Sequence, residues 1–136
     1  MPKVIPPTPG YDDQFFWDGV AEGKLLLQSC ADCATVRHPP LPMCARCHSV
    51  NRSTFESTGR GFVYSWVQSK HPTEPDAEPR IVILVELDDG PRIVSNLQGV
   101  KLDDVRNNMR VEFFTKEVDG VLLPQFRPEG TGAKVS

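Results

Sequence analysis

The chain has 136 residues, of which 39% are hydrophobic and 24% are charged, and its formal charge is −3. No stretch approaches the roughly 20 consecutive apolar residues of a membrane-spanning helix, and the first residues lack the apolar core of a signal peptide, so we expect a cytoplasmic protein without a membrane partner. The net negative charge argues against a general nucleic-acid-binding protein. In a reducing compartment, the four cysteines favour a metal site over disulfides.

The first predicted segment, residues 1–23, is an extended arm followed by a short helix. Four prolines among the first ten residues disfavour helix and sheet in the arm. Residues 11–22 have acidic side chains near their start and a glycine directly after their end, which is typical of a helix. The helix carries three adjacent rings, Phe15, Phe16 and Trp17. We expect one face to pack on the domain and another to receive a partner, unless all three rings belong to the core.

The second segment, residues 24–58, is predicted to form a zinc ribbon. Residues 24–29 and 54–57 are short predicted strands, and between them lie two C-x-x-C pairs separated by ten residues: Cys30, Cys33, Cys44 and Cys47. Two residues between ligands let one tight turn direct both thiolates at a single ion, and two such turns complete a tetrahedron with Zn–S distances of about 2.3 Å. Four thiolates leave no position for water, so the zinc is expected to be structural.

The residues alone leave other metals, other ligands and another role for the cysteines open. Iron also accepts a sulfur tetrahedron and is the second choice of metal. His38 and His48 lie close to the cysteines and are candidates to replace a ligand, or else are surface residues beside a complete site. A redox dithiol is disfavoured because no βαβ unit surrounds either pair.

The third segment, residues 59–129, is predicted to be a five-stranded OB-fold barrel, and an SH3-like barrel is the alternative. Five apolar strands are expected at residues 59–69, 80–88, 92–98, 109–118 and 121–127, with Asp-Gly turns at 89–90 and 119–120. Pro124 inside the last strand predicts an edge or a bulge. Residues 71–79 contain three prolines and should be an exposed loop, and residues 130–136 should be a disordered tail. The fold class is therefore mainly β, with one short N-terminal helix.

No motif in the chain indicates an independent catalyst. The four cysteines are committed to the metal, and the sequence contains no Walker loop, G-x-G-x-x-G, H-E-x-x-H or G-x-S-x-G. We therefore expect no catalytic residues and no turnover by the chain alone.

The stretches FFWDGVAEGKLLLQSCADC, PPLPMCARC, GRGFVYSWV and PQFRP, within residues 11–129, resemble a family of small acyl-CoA-associated proteins long catalogued as a domain of unknown function. The resemblance implies an N-terminal helix, a rubredoxin-like zinc ribbon and a C-terminal OB fold. Glycine usually follows the second and fourth cysteines in that family, whereas this chain has Ala34 and His48. These replacements make the geometry of the two ligand turns a point to test.

The resemblance also implies a function. Members of the family are similar to accessory subunits of thiolase-like enzymes, including acyl-CoA thiolases, hydroxymethylglutaryl-CoA synthases and the lipid-transfer-protein-like aldolases of steroid side-chain breakdown, and some occur with hot-dog-fold hydratases. The partner supplies the catalytic residues. This chain would then form a hetero-oligomer, stabilise its partner and help to form the acyl-CoA channel.

Several side chains are candidates for these contacts. The phosphates of CoA call for guanidinium groups, and adenine calls for an aromatic ring, so the candidate residues are Arg37, Arg46, Arg52, Arg60, Tyr64 and Trp66. The three rings of the helix are the candidates for docking the partner. The competing functions are a single-stranded nucleic-acid-binding module, which the charge disfavours, and a rubredoxin-like electron carrier.

Overall fold

A computed structural model describes residues 5–70, 72–74, 76 and 79–130. The predictions for residues 1–4 of the arm, for 131–136 of the tail and for four positions of the loop at 71–79 lie outside the described residues. Among the described residues, one helix and eight strands follow in chain order: α1 (Gln14–Ala21), β1 (Leu26–Cys30), β2 (Val36–Arg37), β3 (Arg52–Glu56), β4 (Arg60–Ser69), β5 (Arg80–Leu87), β6 (Arg92–Asn96), β7 (Arg110–Val118) and β8 (Val121–Pro128). A single 3-10 turn (Leu102–Asp104) lies between β6 and β7. No helix among the described residues is long and apolar enough to cross a membrane.

Helix α1 begins three residues later than predicted. Asp13 lies just before its first turn, but the Asp13 carboxylate accepts a hydrogen bond from the backbone N–H of Gly10 at 2.6 Å and caps no helical N–H group. The acidic residues therefore shape the approach to the helix instead of entering it. The end is as predicted, because Gly23 has a φ of +78° and the N–H of Lys24 reaches the carbonyl of Gly19 at 2.8 Å, closing a Schellman turn.

The ribbon is a three-stranded antiparallel sheet in the order β2-β1-β3. Strand β1 pairs with β3 along its whole length, so that Cys30 lies opposite Arg52. On its other edge it pairs with the two residues of β2, where Gln28 lies opposite Arg37. The two predicted ribbon strands are present, each displaced by one or two residues, and β2 is additional.

The barrel is a five-stranded sheet in the order β6-β5-β4-β7-β8. It closes where β6 and β8 meet, through a parallel bridge between Leu97 and Phe126 and a 2.9 Å hydrogen bond from the Ser95 hydroxyl to the carbonyl oxygen of Pro124. This order and closure are those of an OB fold, which confirms the predicted fold class over the SH3-like alternative. Pro124 pairs on its other side with Thr115 of β7 and lies on the edge strand of the sheet, where a missing N–H is tolerated.

Ribbon, helix and barrel share one hydrophobic core. Phe16 and Val20 of α1 and Leu27 of β1 are buried in the same cluster as Val63 and Phe126 of the barrel. The junction between ribbon and barrel is also hydrogen-bonded, since the Ser57 hydroxyl binds the Asp89 carboxylate and accepts the backbone N–H of Gly59 at 3.0 Å. The ribbon is therefore packed against the barrel as part of a single body.

Candidate metal centre

Two ligand turns with the same backbone pattern carry the cysteines. In the first knuckle, residues 30–35, the N–H of Ala34 donates to the carbonyl of Cys30 at 2.9 Å. In the second knuckle, residues 44–49, the N–H of His48 donates to the carbonyl of Cys44, also at 2.9 Å. Each turn thus presents its two thiols on one side.

The four thiols converge on one point. The Sγ atoms of Cys30 and Cys47 are 3.5 Å apart and those of Cys33 and Cys44 are 3.6 Å apart. All four ligand atoms lie within 4.8 Å of one another. A tetrahedron with metal–sulfur distances of about 2.3 Å has sulfur–sulfur edges of about 3.8 Å, so the cluster has the size that a four-coordinate ion requires. The four cysteines are therefore clustered for metal binding.

The thiols differ in their affinity for protons. The backbone N–H of Cys33 lowers the pKa of Cys30 to about 6 against the opposing effect of burial. Backbone N–H groups of the second knuckle also lower the pKa of Cys44. At Cys47 the backbone N–H of Ser49 favours the thiolate, but the hydrogen bond to Cys30 and burial outweigh it and raise the pKa to about 12. A cation bound by all four thiolates must therefore displace a proton near neutral pH.

The residues that replace the usual glycines lie in the left-handed backbone region. Ala34 has a φ of +65° and His48 a φ of +64°. Both turns therefore keep the backbone conformation that glycine adopts most easily. In each turn the Cβ of the residue present destabilises that conformation. The replacement of the usual glycines by Ala34 and His48 therefore strains the two knuckles, but the hydrogen bond that closes each knuckle is still formed.

Neither histidine enters the cluster of metal-ligating groups among the described residues. His38 is partly buried beside Phe16, with ring centroids 5.3 Å apart, and burial lowers its pKa. His48 is exposed at the end of the second knuckle.

The four candidate CoA-binding arginines are engaged with different parts of the fold. The Arg37 side chain is buried and donates to the Gln28 side chain and, at 3.3 Å, to the carbonyl of Leu41. Arg52 pairs with Asp12 at 2.9 Å. These two arginines therefore hold the structure of the ribbon and of its contact with the N-terminal arm.

The other two arginines are more accessible. Arg60 is exposed at the start of β4, 3.9 Å from the Glu129 carboxylate. Arg46 is exposed in the second knuckle and has no carboxylate partner among the described residues.

A bulge in β4 separates the two aromatic candidates. The pairing with β5 shifts between Val63 and Ser65, which leaves Tyr64 as the extra residue. Trp66 consequently pairs opposite Ile83 and packs against the core. Tyr64 is 47% exposed, with the Arg92 guanidinium 3.9 Å from its ring centroid. Side chains of β4 therefore do not alternate strictly between the two faces of the sheet at this point.

The three rings of α1 differ in burial, and all three pack on the core. Phe16 is 5% exposed and belongs to the core, whereas Phe15 and Trp17 are partly buried at its margin. The Phe16 and Trp17 rings pack edge to face, with centroids 5.1 Å apart.

Sequence reasoning missed the buried amide of Gln28, which is fully enclosed in β1. Its Oε1 accepts hydrogen bonds from Arg37 and from the backbone N–H of Leu41, the latter at 2.9 Å. The side chain thereby fixes the proline-rich segment between the two knuckles. A glutamine within an apolar strand next to the first cysteine was the available signal, but its partners become neighbours only when β2 pairs.

Two family models match the chain. One describes the rubredoxin-like zinc ribbon domain of ChsH2 and matches residues 17–50, and the other describes the C-terminal OB-fold domain of ChsH2 and matches residues 55–115. A solved chain described as "Ltp2-ChsH2(DUF35) aldolase" superposes with a TM-score of 0.83 at 40% identity, covering 90% of this chain and 98% of that one.

Relatives in other organisms carry related descriptions. The chain is 41% identical over 131 residues to a probable enoyl-CoA hydratase alpha subunit of Thermomonospora curvata, and 39% identical over 97 residues to the 3-oxo-4,17-pregnadiene-20-carboxyl-CoA hydratase alpha subunit of Mycobacterium tuberculosis. These matches cover 93% and 71% of this chain but only 41% and 31% of the two relatives, so the chain spans less than half of either. A DUF35 domain-containing scaffold protein of Methanocaldococcus jannaschii is 30% identical over 118 residues, covering 78% of this chain and 82% of that protein.

Proposed function

Because the chain belongs to the DUF35 family that includes ChsH2, we propose that it is a cytoplasmic, non-catalytic accessory subunit of a thiolase-superfamily enzyme acting on acyl-CoA thioesters. The partner is an aldolase or a thiolase that breaks or forms a carbon–carbon bond, and its pathway is the degradation of a steroid side chain. This chain stabilises the partner and contributes to the channel that admits the thioester.

One observation carries the proposal. The chain resembles a chain of the Ltp2-ChsH2(DUF35) aldolase over nearly the full length of both. The names of two relatives, both alpha subunits of CoA-thioester hydratases, support a role beside an enzyme of acyl-CoA metabolism.

We assign partner docking to α1. Phe15 and Trp17 lie at the margin of the core and keep part of their rings accessible, so they are the docking residues of the three. Phe16 belongs to the interior and serves to hold the helix in place. A helix fixed to the core by one ring presents the other two without the entropic cost of ordering them on binding.

Contact with CoA is assigned most readily to Arg46 among the arginines. It is exposed and has no carboxylate partner in the described part of the chain, so its guanidinium can bind a phosphate without first breaking an ion pair there. Arg52 and Arg60 would have to leave Asp12 and Glu129, and Arg37 would have to leave the interior. Tyr64 offers a half-exposed ring for stacking, over which the Arg92 guanidinium already lies, whereas Trp66 supports the barrel.

The proposed cofactor is one structural zinc held by the four cysteines. It organises the ribbon, residues 24–58, against the OB fold, residues 59–129. A ribbon of this size buries too little apolar area to fold by itself, so the ion supplies much of its stability.

The proposal is tested by co-expressing the chain with thiolase-like proteins of the same organism and measuring carbon–carbon cleavage of a steroid side-chain acyl-CoA. We expect a stable complex, turnover by the complex and none by this chain alone. Phe15→Ala and Trp17→Ala should each weaken the complex at least tenfold, while Gln14→Ala, at an exposed position of the same helix, should not. Turnover by the isolated chain, or a chain that stays monomeric beside every such candidate, would refute the assignment.

A further inference from the structure

The barrel contains a cavity of about 360 Å³ where β6 and β8 meet. It lies at the incomplete seam of the sheet, next to the bridge between Leu97 and Phe126. Strands β5 to β8 and the turn after β6 form its walls, and this β6–β8 cavity is within the usual size range of small-molecule sites. It is separate from the metal centre, since no cysteine and no ribbon residue lines it.

A hydrogen-bond relay with a fixed direction ends inside this cavity. The Lys116 ammonium donates to Oε1 of Gln98 at 3.3 Å, and Nε2 of Gln98 donates to Oε1 of Gln125 at 3.2 Å. An ammonium group can only donate, so it determines the orientation of both amides. The relay therefore leaves Nε2 of Gln125 as its free end.

That free end is a donor on a largely buried side chain. Gln125 is 4% exposed and lines the cavity, and its Nε2 has no acceptor among the described residues. Unlike Nε2 of Gln28, which is sealed from solvent, this nitrogen is accessible. An acceptor that enters the cavity can therefore bind it without displacing a protein partner.

The charge of the cavity has one sign. Arg80 and Lys116 line it, neither has a carboxylate partner in the described part of the chain, and none of the described lining residues is acidic. Apolar side chains share the wall with these polar groups, Ile81 and Leu123 among them. Two cations and an amide donor favour an anionic oxygen group, and the apolar part of the wall can receive a hydrocarbon chain attached to it.

We propose that the β6–β8 cavity binds an amphiphilic anion, a carboxylate or a phosphate ester carried on an apolar chain. Arg80 and Lys116 bind the charged group, Nε2 of Gln125 donates to one of its oxygens, and the chain lies against Ile81 and Leu123. Lys116 also acts on the ligand indirectly, because through Gln98 it orients the Gln125 amide that donates to the ligand. This inference stands apart from the accessory-subunit role, since it concerns a ligand of the isolated chain.

The test is titration of the full chain with octanoate, octyl phosphate and neutral octanol, followed by calorimetry and by chemical shifts of the side-chain amides. We expect at least one of the two anions to bind at least tenfold more tightly than octanol, with a shift of the Gln125 amide, and their ratio identifies the preferred head group. Arg80→Ala and Lys116→Ala should each weaken anion binding at least fivefold. Arg106→Ala, which removes an exposed charge outside the cavity, should not.

A variant of the relay separates binding from folding. Gln125→Glu keeps the size of the side chain but replaces the donor with a carboxylate, so anion binding should fall at least tenfold while Tm, measured in parallel, shows whether the barrel is intact. Lys116→Gln serves as the second variant, because it keeps the length of the stem without the charge. Equal binding of octanol and the anions, no binding of any probe, or anion binding insensitive to Arg80 and Lys116 would each overturn the proposal.

Discussion

Glycine at position 34 should stabilise this protein. Ala34 has a φ of +65°, where the Cβ of an L-residue costs about 1–2 kcal/mol that glycine avoids. The greater freedom of glycine in the unfolded chain opposes this gain by about 0.4–1 kcal/mol. We therefore expect Ala34→Gly to raise the free energy of unfolding by about 0.5–1 kcal/mol, which for a chain of this length is a rise of roughly 2–4 °C in Tm.

The assay is denaturant unfolding of the metal-loaded protein at a fixed concentration of free metal, because bound metal itself adds to stability. Ala31 lies in the same knuckle without a positive φ, so Ala31→Gly is a matched control that should lower stability by about 0.4–1 kcal/mol. His48→Gly should repeat the gain in the second knuckle. If Ala34→Gly lowers the midpoint as much as Ala31→Gly does, the turn is not strained and the reasoning fails.

Three further outcomes follow from the structure. Cys44→Ser should release the metal and expose residues 25–58 to protease, since a buried ligand is lost; unchanged metal content by mass spectrometry would contradict the centre. Gly61→Ala should cost at least about 2 kcal/mol in denaturant unfolding, because a Cβ would overlap a backbone carbonyl of β5, whereas Gly10→Ala, with its nearest atom at 3.6 Å, should be almost neutral. Arg110 holds the pKa of Asp88 below its usual value, so their ion pair stabilises the fold at neutral pH and is lost as the pH falls below about 4. Asp88→Asn should therefore cost less than about 1 kcal/mol at pH 7, and this difference should shrink in acid; a difference that stays constant with pH would exclude the ion pair as its cause.

Local patterns in the sequence predict most of the strands but not their exceptions. The Asp-Gly pair at 119–120 forms the expected tight turn, with φ values of +52° and +80°. At 89–90 only Gly90 has a positive φ, and the Asp89 carboxylate accepts a hydrogen bond from the Ser57 hydroxyl. The bulge at Tyr64 depends on pairing with β5, beyond the loop at 71–79, and the two-residue strand β2 depends on the chain folding back onto β1 after the first knuckle. The pattern of residues within either strand does not contain this information.

The candidate site was also predictable only in part. The spacing of the cysteines predicts their convergence, since two residues between ligands leave one geometry for the turn. The arginines carry no such information, because a guanidinium binds whichever carboxylate or amide the fold brings near. Arg37 meets Gln28 across a strand pair and Arg52 meets Asp12 across 40 positions of the chain. The relay ending at Gln125 likewise joins three strands or turns and could not be anticipated.

Leu27 of the ribbon and Val63 of the barrel belong to one core, so the stability of each part depends on the other. When the ion leaves, strand β1 loses the anchor at its end, and the apolar side of the barrel beneath it meets water at a cost of roughly 25 cal/mol for each Å² exposed. In a cell starved of the ion, proteolysis that begins in the ribbon would therefore spread to the barrel. The abundance of any assembly that depends on it would then follow the metal nutrition of the organism.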